Sequence, residues 1–238
     1  MAETLNQAFE ALKTYDWGKE VKVLDPINEA VVTTHGDAAA RKELEIRLAA
    51  VLKSGASRDA KDYVCRKLMV IATAESVPTL AGLLPDKDNS HMARYVLERN
   101  PAPEAAQALR DALPKLSGAL KIGVIGSLGV RRDEPSTAAL AALLGDADIR
   151  VACAAAAALG DIGSADAAHA LSQLGNGAPQ AVEQSAADAR LACAERLLAD
   201  GKKADAKSLY TALMGKAQPK HVRLAAIRGL AVVAGKKD

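Results

Sequence analysis

Arg66, His91, Arg94, Lys121 and Arg150 recur along the middle of the chain, with Tyr95 and the run Arg131-Arg132-Asp133 beside them. Arginine offers a planar fork of donors that matches a carboxylate or a phosphate, and tyrosine adds rigid contact surface at low entropic cost. A row of such groups would recognise an acidic protein segment or another anion. The candidate partner-binding set is therefore Arg66, His91, Arg94, Tyr95, Lys121, Arg131, Arg132 and Asp133. The same arginines could instead pair with neighbouring Asp or Glu and stitch one element to the next, as Arg150 could with an acidic group one repeat away.

Other chemistry is thinly represented. His35, His91, His169 and His221 are far apart in sequence, and no His-x-x-x-His occurs, so only the fold could assemble a metal site from them. Cys65, Cys153 and Cys193 are odd in number, contain no Cys-x-x-Cys and lie in apolar helical runs, where a free cysteine packs as a small hydrophobe. There is no phosphate-loop pattern, and Gly126-Ser127-Leu128 is not a nucleophile elbow. Gly123, Gly126 and Gly129 read as sites of close helix packing. No cofactor, no metal and no catalytic residue is expected, and the chain reads as a non-enzyme.

The elements that must position these residues follow from composition. The 238 residues include 52 Ala and 29 Leu but only six aromatics. Such a balance favours helices packed closely through small side chains and argues against an all-β fold. No apolar run approaches the ~18 residues that a membrane span needs. Net charge is only +2, but residues 133–199 carry −6 and residues 200–238 carry +6. Neighbouring patches of opposite sign suit electrostatic matching with a protein partner.

An internal repeat organises the chain. Leu140, Leu143 and Leu144 stand at helical spacing, Gly145-Asp146 ends that helix, and Asp146 or Asp148 can cap the next. Val151, Ala155, Ala158, Leu159 and Ile162 then form a second apolar stripe. Anchors of the second helices fall at Val64, Met92, Ile122, Val151, near Ala187 and at Val222, separated by 28, 30, 29, 36 and 35 residues. First helices are predicted at 41–53, 75–84, 103–113, 136–144, 165–174 and 204–214. Breaks separate them at 53–55, 84–86, 100–101, 132–135, 175–179 and 215–219. Helix pairs at this period stack into an α-solenoid, because no single hairpin buries its apolar face alone.

Asp148-Ile149-Arg150-Val151 with Ala154-Ala155, Ala158-Leu159-Gly160 and Ile162-Gly163 resembles the HEAT and HEAT-like (armadillo-type) repeat. His221-Val222-Arg223-Leu224-Ala225-Ala226 with Gly229-Leu230 is a second match, and Lys121-Ile122 with Ser127-Leu128-Gly129 a degraded one. The whole chain also resembles uncharacterised bacterial HEAT-repeat domain proteins, through Ser90–Tyr95 and Ser127–Asp133. The resemblance implies an all-α, right-handed superhelix of about six hairpins, one domain over 1–238 with cap helices in 1–40 and repeats in 41–238. It also implies that the second helices line the concave face. The function expected from it is a non-catalytic protein–protein interaction scaffold. The alternative is a HEAT-like DNA-binding protein or DNA glycosylase, and a bilin-lyase-like protein is a third reading. The acidic block at 133–199 speaks against nucleic acid.

The two ends differ. Phe9, Tyr15 and Trp17 are expected to form a bulky apolar plug with helices near 3–13 and 26–34. At the other end Val222, Ala226, Gly229 and Val233 face inward, while Leu224, Ile227 and Ala231 form a second stripe suited to self-association or to further repeats. The start Met1-Ala2-Glu3-Thr4 reads as cytoplasmic; the alternative is a secreted or periplasmic protein whose signal peptide has been removed. Reversing charge at Arg94 and Arg132 together is expected to leave melting nearly unchanged, since exposed charges contribute little to stability.

Overall fold

Small apolar side chains at helical spacing, interrupted by Gly, Pro, Asp and Asn, leave helices as the only regular structure. The computed structural model describes residues 2–174, 177–216 and 218–235, and every regular element among them is helical. Two N-terminal helices, α1 (Ala2–Lys13) and α2 (Asp25–Thr33), precede six predicted helix pairs. These are α3 (Ala38–Leu52) and α4 (Arg58–Ile71); α5 (Val77–Gly82) and α6 (Ser90–Arg99); α7 (Pro103–Ala112) and α8 (Gly118–Val130). They continue as α9 (Thr137–Ala142) and α10 (Ile149–Ile162); α11 (Ala165–Ser172) and α12 (Gln180–Ala199); α13 (Lys203–Leu213) and α14 (Lys220–Val233). Residues 175–176 and 217, within two predicted breaks, and the tail 236–238 lie outside the described residues.

The chain divides into two compact units, Met1–Leu116 and Ser117–Asp238, so the third pair has one helix in each. In the first unit α3, α5 and α7 stack as one layer and α2, α4 and α6 as the other. In the second unit α8, α10, α12 and α14 lie side by side, α9 packs on α11, and α13 packs on α12 and α14.

Capping residues set the helix starts. Asp37, Ser57, Asp148 and Ser164 each accept a hydrogen bond from a first-turn N–H of α3, α4, α10 and α11. Ser57 also donates to the Tyr15 carbonyl at 2.6 Å, tying α4 to the segment after α1. At the end of α8 the Arg132 N–H bonds the Gly129 carbonyl and the Asp133 N–H bonds that of Leu128, a Schellman turn. Arg132 occupies the left-handed position (φ 53°) that glycine usually fills.

Glycines decide how closely three of the helices in the second unit approach. A Cβ on Gly160 of α10 would lie 2.9 Å from the Ala189 Cα of α12, and one on Gly129 of α8 2.9 Å from the Ala158 Cα of α10. Gly126 faces open space instead, which corrects its reading as a packing glycine.

Side chains link the hairpins of the first unit. Glu45 in α3 is fully buried and accepts from the Thr73 N–H (2.8 Å), the Thr73 hydroxyl (2.9 Å) and the Ser76 N–H (3.1 Å). The Asn100 amide donates to the Thr73 carbonyl at 2.7 Å. A buried carboxylate thus holds one hairpin to the start of the next, and an asparagine carries the link on to the turn after α6.

The N-terminal plug needs correction. Phe9 is buried under the Arg47 guanidinium, 4.0 Å from its ring centre, and Tyr15 lies 6.4 Å from Tyr63. Trp17, however, is 87% exposed. It follows α1 in a tight turn closed by Gly18 (φ 81°), which carries the indole outward. At the other end Val222 and Ala226 are buried and Leu224 and Ile227 are exposed, in the two stripes the spacing predicts.

Candidate functional site

Helix α6 carries His91, Arg94, Tyr95, Glu98 and Arg99 at i, i+3, i+4, i+7 and i+8, which places them along one side of the helix. Met92, Ala93, Val96 and Leu97 fill the opposite side and are buried. The His91 and Tyr95 rings stand 4.4 Å apart, and the Arg99 guanidinium lies 5.9 Å from the Tyr95 centroid. Arg94 approaches the His91 ring nitrogen at 3.2 Å and Glu98 at 3.8 Å.

Burial separates these cations. The Arg94 side chain is only 15% exposed, and desolvation, opposed by Glu98, lowers its proton affinity. It is an internal tie of α6. Arg66 on the neighbouring α4 is 70% exposed and pairs with Asp62 one turn earlier. Beside it Val70 is exposed, and Lys67 lies 4.7 Å from the Tyr63 ring centre. On the packed neighbours α4 and α6, Arg66 and Val70 are exposed on the first and His91, Tyr95 and Arg99 on the second.

The remaining members of the set belong to the second unit. Lys121 reaches Asp146 at 4.0 Å, and Asp133 is buried. Arg131 ends α8, half-buried. Arg132 donates to the Ile162 carbonyl (3.4 Å) at the end of α10 and pairs with Asp200 (3.6 Å) at the end of α12. A cation at helix C-termini meets the negative ends of their dipoles, so Arg132 links three helix ends. Arg150 pairs with Asp148 within its own first turn, not with a group one repeat away.

These placements change the expectation for charge reversal. Arg94→Glu buries a second carboxylate beside Glu98, and the expected result is a clearly lowered melting temperature. Arg66→Glu, on a well-exposed side chain, is expected to leave it within a degree or two. Circular dichroism melts of the two single variants check both outcomes.

Among the described residues, no three His, Cys, Asp or Glu side chains gather into a metal-binding group. Burial, reinforced by Asp62, pushes the Cys65 thiol up to about 12, and burial does the same for Cys193. Both therefore stay protonated and unreactive near neutrality. Cys153 is partly exposed. A disulfide reagent at pH 8 is expected to titrate one thiol per native chain and all three in denaturant; rapid reaction of all three in the native protein would contradict this burial.

No protein-family model and no curated protein matches the chain. Among solved structures it is similar to human deoxyhypusine hydroxylase in complex with glycerol, at 13% identity and a TM-score of 0.37, over 98% of this chain and 96% of that one. That protein is an enzyme by name. The expectation of a non-enzymatic, non-catalytic scaffold is withdrawn. At that identity and score the likeness transfers no substrate and no residue role.

Sequence reasoning missed Glu45, because a charged residue inside an amphipathic run reads as solvent-facing. It also missed Val70 and Arg99, which complete the α4–α6 face. Their exposure depends on which side of each helix the neighbouring repeat covers.

Proposed function

We propose that the face formed by α4 and α6 binds an acidic segment of a protein partner. The observation that carries this reading is the exposed Tyr95, 42% accessible, 4.4 Å from the His91 ring and 5.9 Å from the Arg99 guanidinium on α6, with the exposed Val70 (63%) and Arg66 on the neighbouring α4. Aromatic and arginine side chains supply most of the binding energy at protein interfaces. Arg94 takes a supporting part within α6, against the His91 ring and Glu98; Lys121, Arg131, Arg132 and Asp133 belong to the other unit and are no part of this face. Catalysis is neither required nor excluded by such binding.

The residue pattern at 148–163 and 221–230 supports placing these repeats in the HEAT-like class found in bacterial proteins. Three free cysteines suit a reducing compartment, which favours the cytoplasmic reading. No helix among the described residues is long and apolar enough to cross a membrane.

The test is affinity capture from the native host with the wild-type chain beside a Tyr95→Ala/Arg99→Glu variant of unchanged helicity. The expected result is an acidic protein retained by wild type, released by salt and at least tenfold depleted on the variant. Equal retention by both chains refutes the assignment of this face.

A further inference from the structure

The second unit contains a cleft of about 560 Å³ that the α4–α6 reading does not use. Its floor is one side of α12, where Gln180, Glu183, Gln184, Ala187 and Arg190 follow one another at helical spacing. The end of α11, with Leu171 and Ser172, forms one wall, and Gln218 and Pro219 at the start of α14 form the other. Small-molecule sites commonly occupy about 300–1,000 Å³ and combine apolar walls with a few convergent polar groups.

Arg190 sets this cleft apart. It is half-buried, its Nε is shielded from solvent, and among the described residues that atom has no hydrogen-bond partner. No carboxylate there lies within ion-pairing distance of Arg190, whereas Arg94 has Glu98 and Arg132 has Asp200. Desolvation lowers its proton affinity, in keeping with an uncompensated charge. A desolvated guanidinium without a counter-ion is costly, and a bound carboxylate removes that cost with two parallel hydrogen bonds.

The rest of the lining restricts the ligand. Glu183 lies on the same side of α12, seven residues before Arg190, or about 10 Å along the axis at 1.5 Å per residue. The cleft thus carries a positive group at one end and a negative group at the other, with the amides of Gln180, Gln184 and Gln218 also facing it. Residues 133–199 are net −6, which disfavours phosphates and other polyanions.

We propose that this cleft binds a small zwitterionic carboxylic acid, its carboxylate on Arg190 and its ammonium group toward Glu183. The two-turn spacing of Arg190 and Glu183 fits a ligand whose charges are several bonds apart, as in a dipeptide or an ω-amino acid.

Isothermal titration calorimetry tests this with a set of dipeptides, Gly-Leu among them, and ω-amino acids. Gly-Leu amide, N-acetyl-Gly-Leu and inorganic phosphate serve as controls. The expected result is saturable binding of at least one zwitterion, weakened tenfold or more in the amide and in the acetylated form. Arg190→Gln is expected to abolish it and Glu183→Gln, on the exposed rim, to weaken it several-fold with unchanged melting. Should Arg190→Gln fail to fold, the Glu183→Gln protein and the two blocked dipeptides carry the test. Absence of saturable binding by every zwitterion overturns the proposal, as does binding indifferent to both substitutions or matched by phosphate.

Discussion

Gly160→Val is expected to destabilise the chain by about 3 kcal/mol, the upper range for forcing extra atoms into a packed contact. A Cβ at this position meets the Ala189 Cα at 2.9 Å and its Cβ at 3.0 Å. The first of these is backbone, so no rotamer change relieves the clash and α12 must move away from α10. That movement loosens the layer in which Ala152, Ala155, Ala156 and Leu159 are buried. Gly126→Ala is the matched control. Gly126 also lies inside a helix, but nothing stands within 4 Å of its would-be Cβ. Alanine there gains helix propensity at no steric cost, an expected stabilisation of about 0.5–1 kcal/mol. Urea unfolding of the two variants must therefore shift in opposite directions. A shift of the same sign and size would show that α10 and α12 do not approach as described.

Glu45→Ala is expected to cost a comparable amount, about 3 kcal/mol. The carboxylate is fully buried and accepts three hydrogen bonds, two from backbone N–H groups of Thr73 and Ser76 that open the next hairpin. Alanine removes the acceptor and leaves those donors dependent on whatever water can enter. Glu45→Gln keeps the shape and one acceptor oxygen, so its expected loss is intermediate. The side-chain part is separated by a double-mutant cycle with Thr73→Val, in which the Thr73 hydroxyl bond appears as a coupling of about 1 kcal/mol. Additive losses with no coupling would show that Thr73 and Glu45 act independently. Hydrogen exchange at the Thr73 and Ser76 amides offers a local check: both are expected to exchange faster in Glu45→Ala than in wild type.

The architecture was legible in the residues because it rests on local rules. Alanine- and leucine-rich runs with apolar positions three and four apart can only bury that face as helices. Gly, Pro, Asp and Asn at regular intervals fix where those helices stop, and five of the six second-helix anchors, Val64, Met92, Val151, Ala187 and Val222, are buried, while Ile122 is only partly so. Position along a helix was therefore well specified by sequence alone. Which side of a residue another helix covers was not. Glu45 and Arg66 are both charged residues in helical runs, yet one is sealed under the next hairpin and the other stands in solvent. Gly126 and Gly129 are one turn apart in α8, yet only Gly129 touches a neighbouring backbone. Trp17 reads as a core residue by type and is thrown outward by the turn at Gly18. Periodicity in a chain encodes angles about each helix axis, whereas the bonds made by Glu45, the links made by Arg132 and the uncompensated charge of Arg190 depend on distances between helices far apart in sequence. Those distances are set by how small side chains let backbones approach, and only the packed structure fixes them.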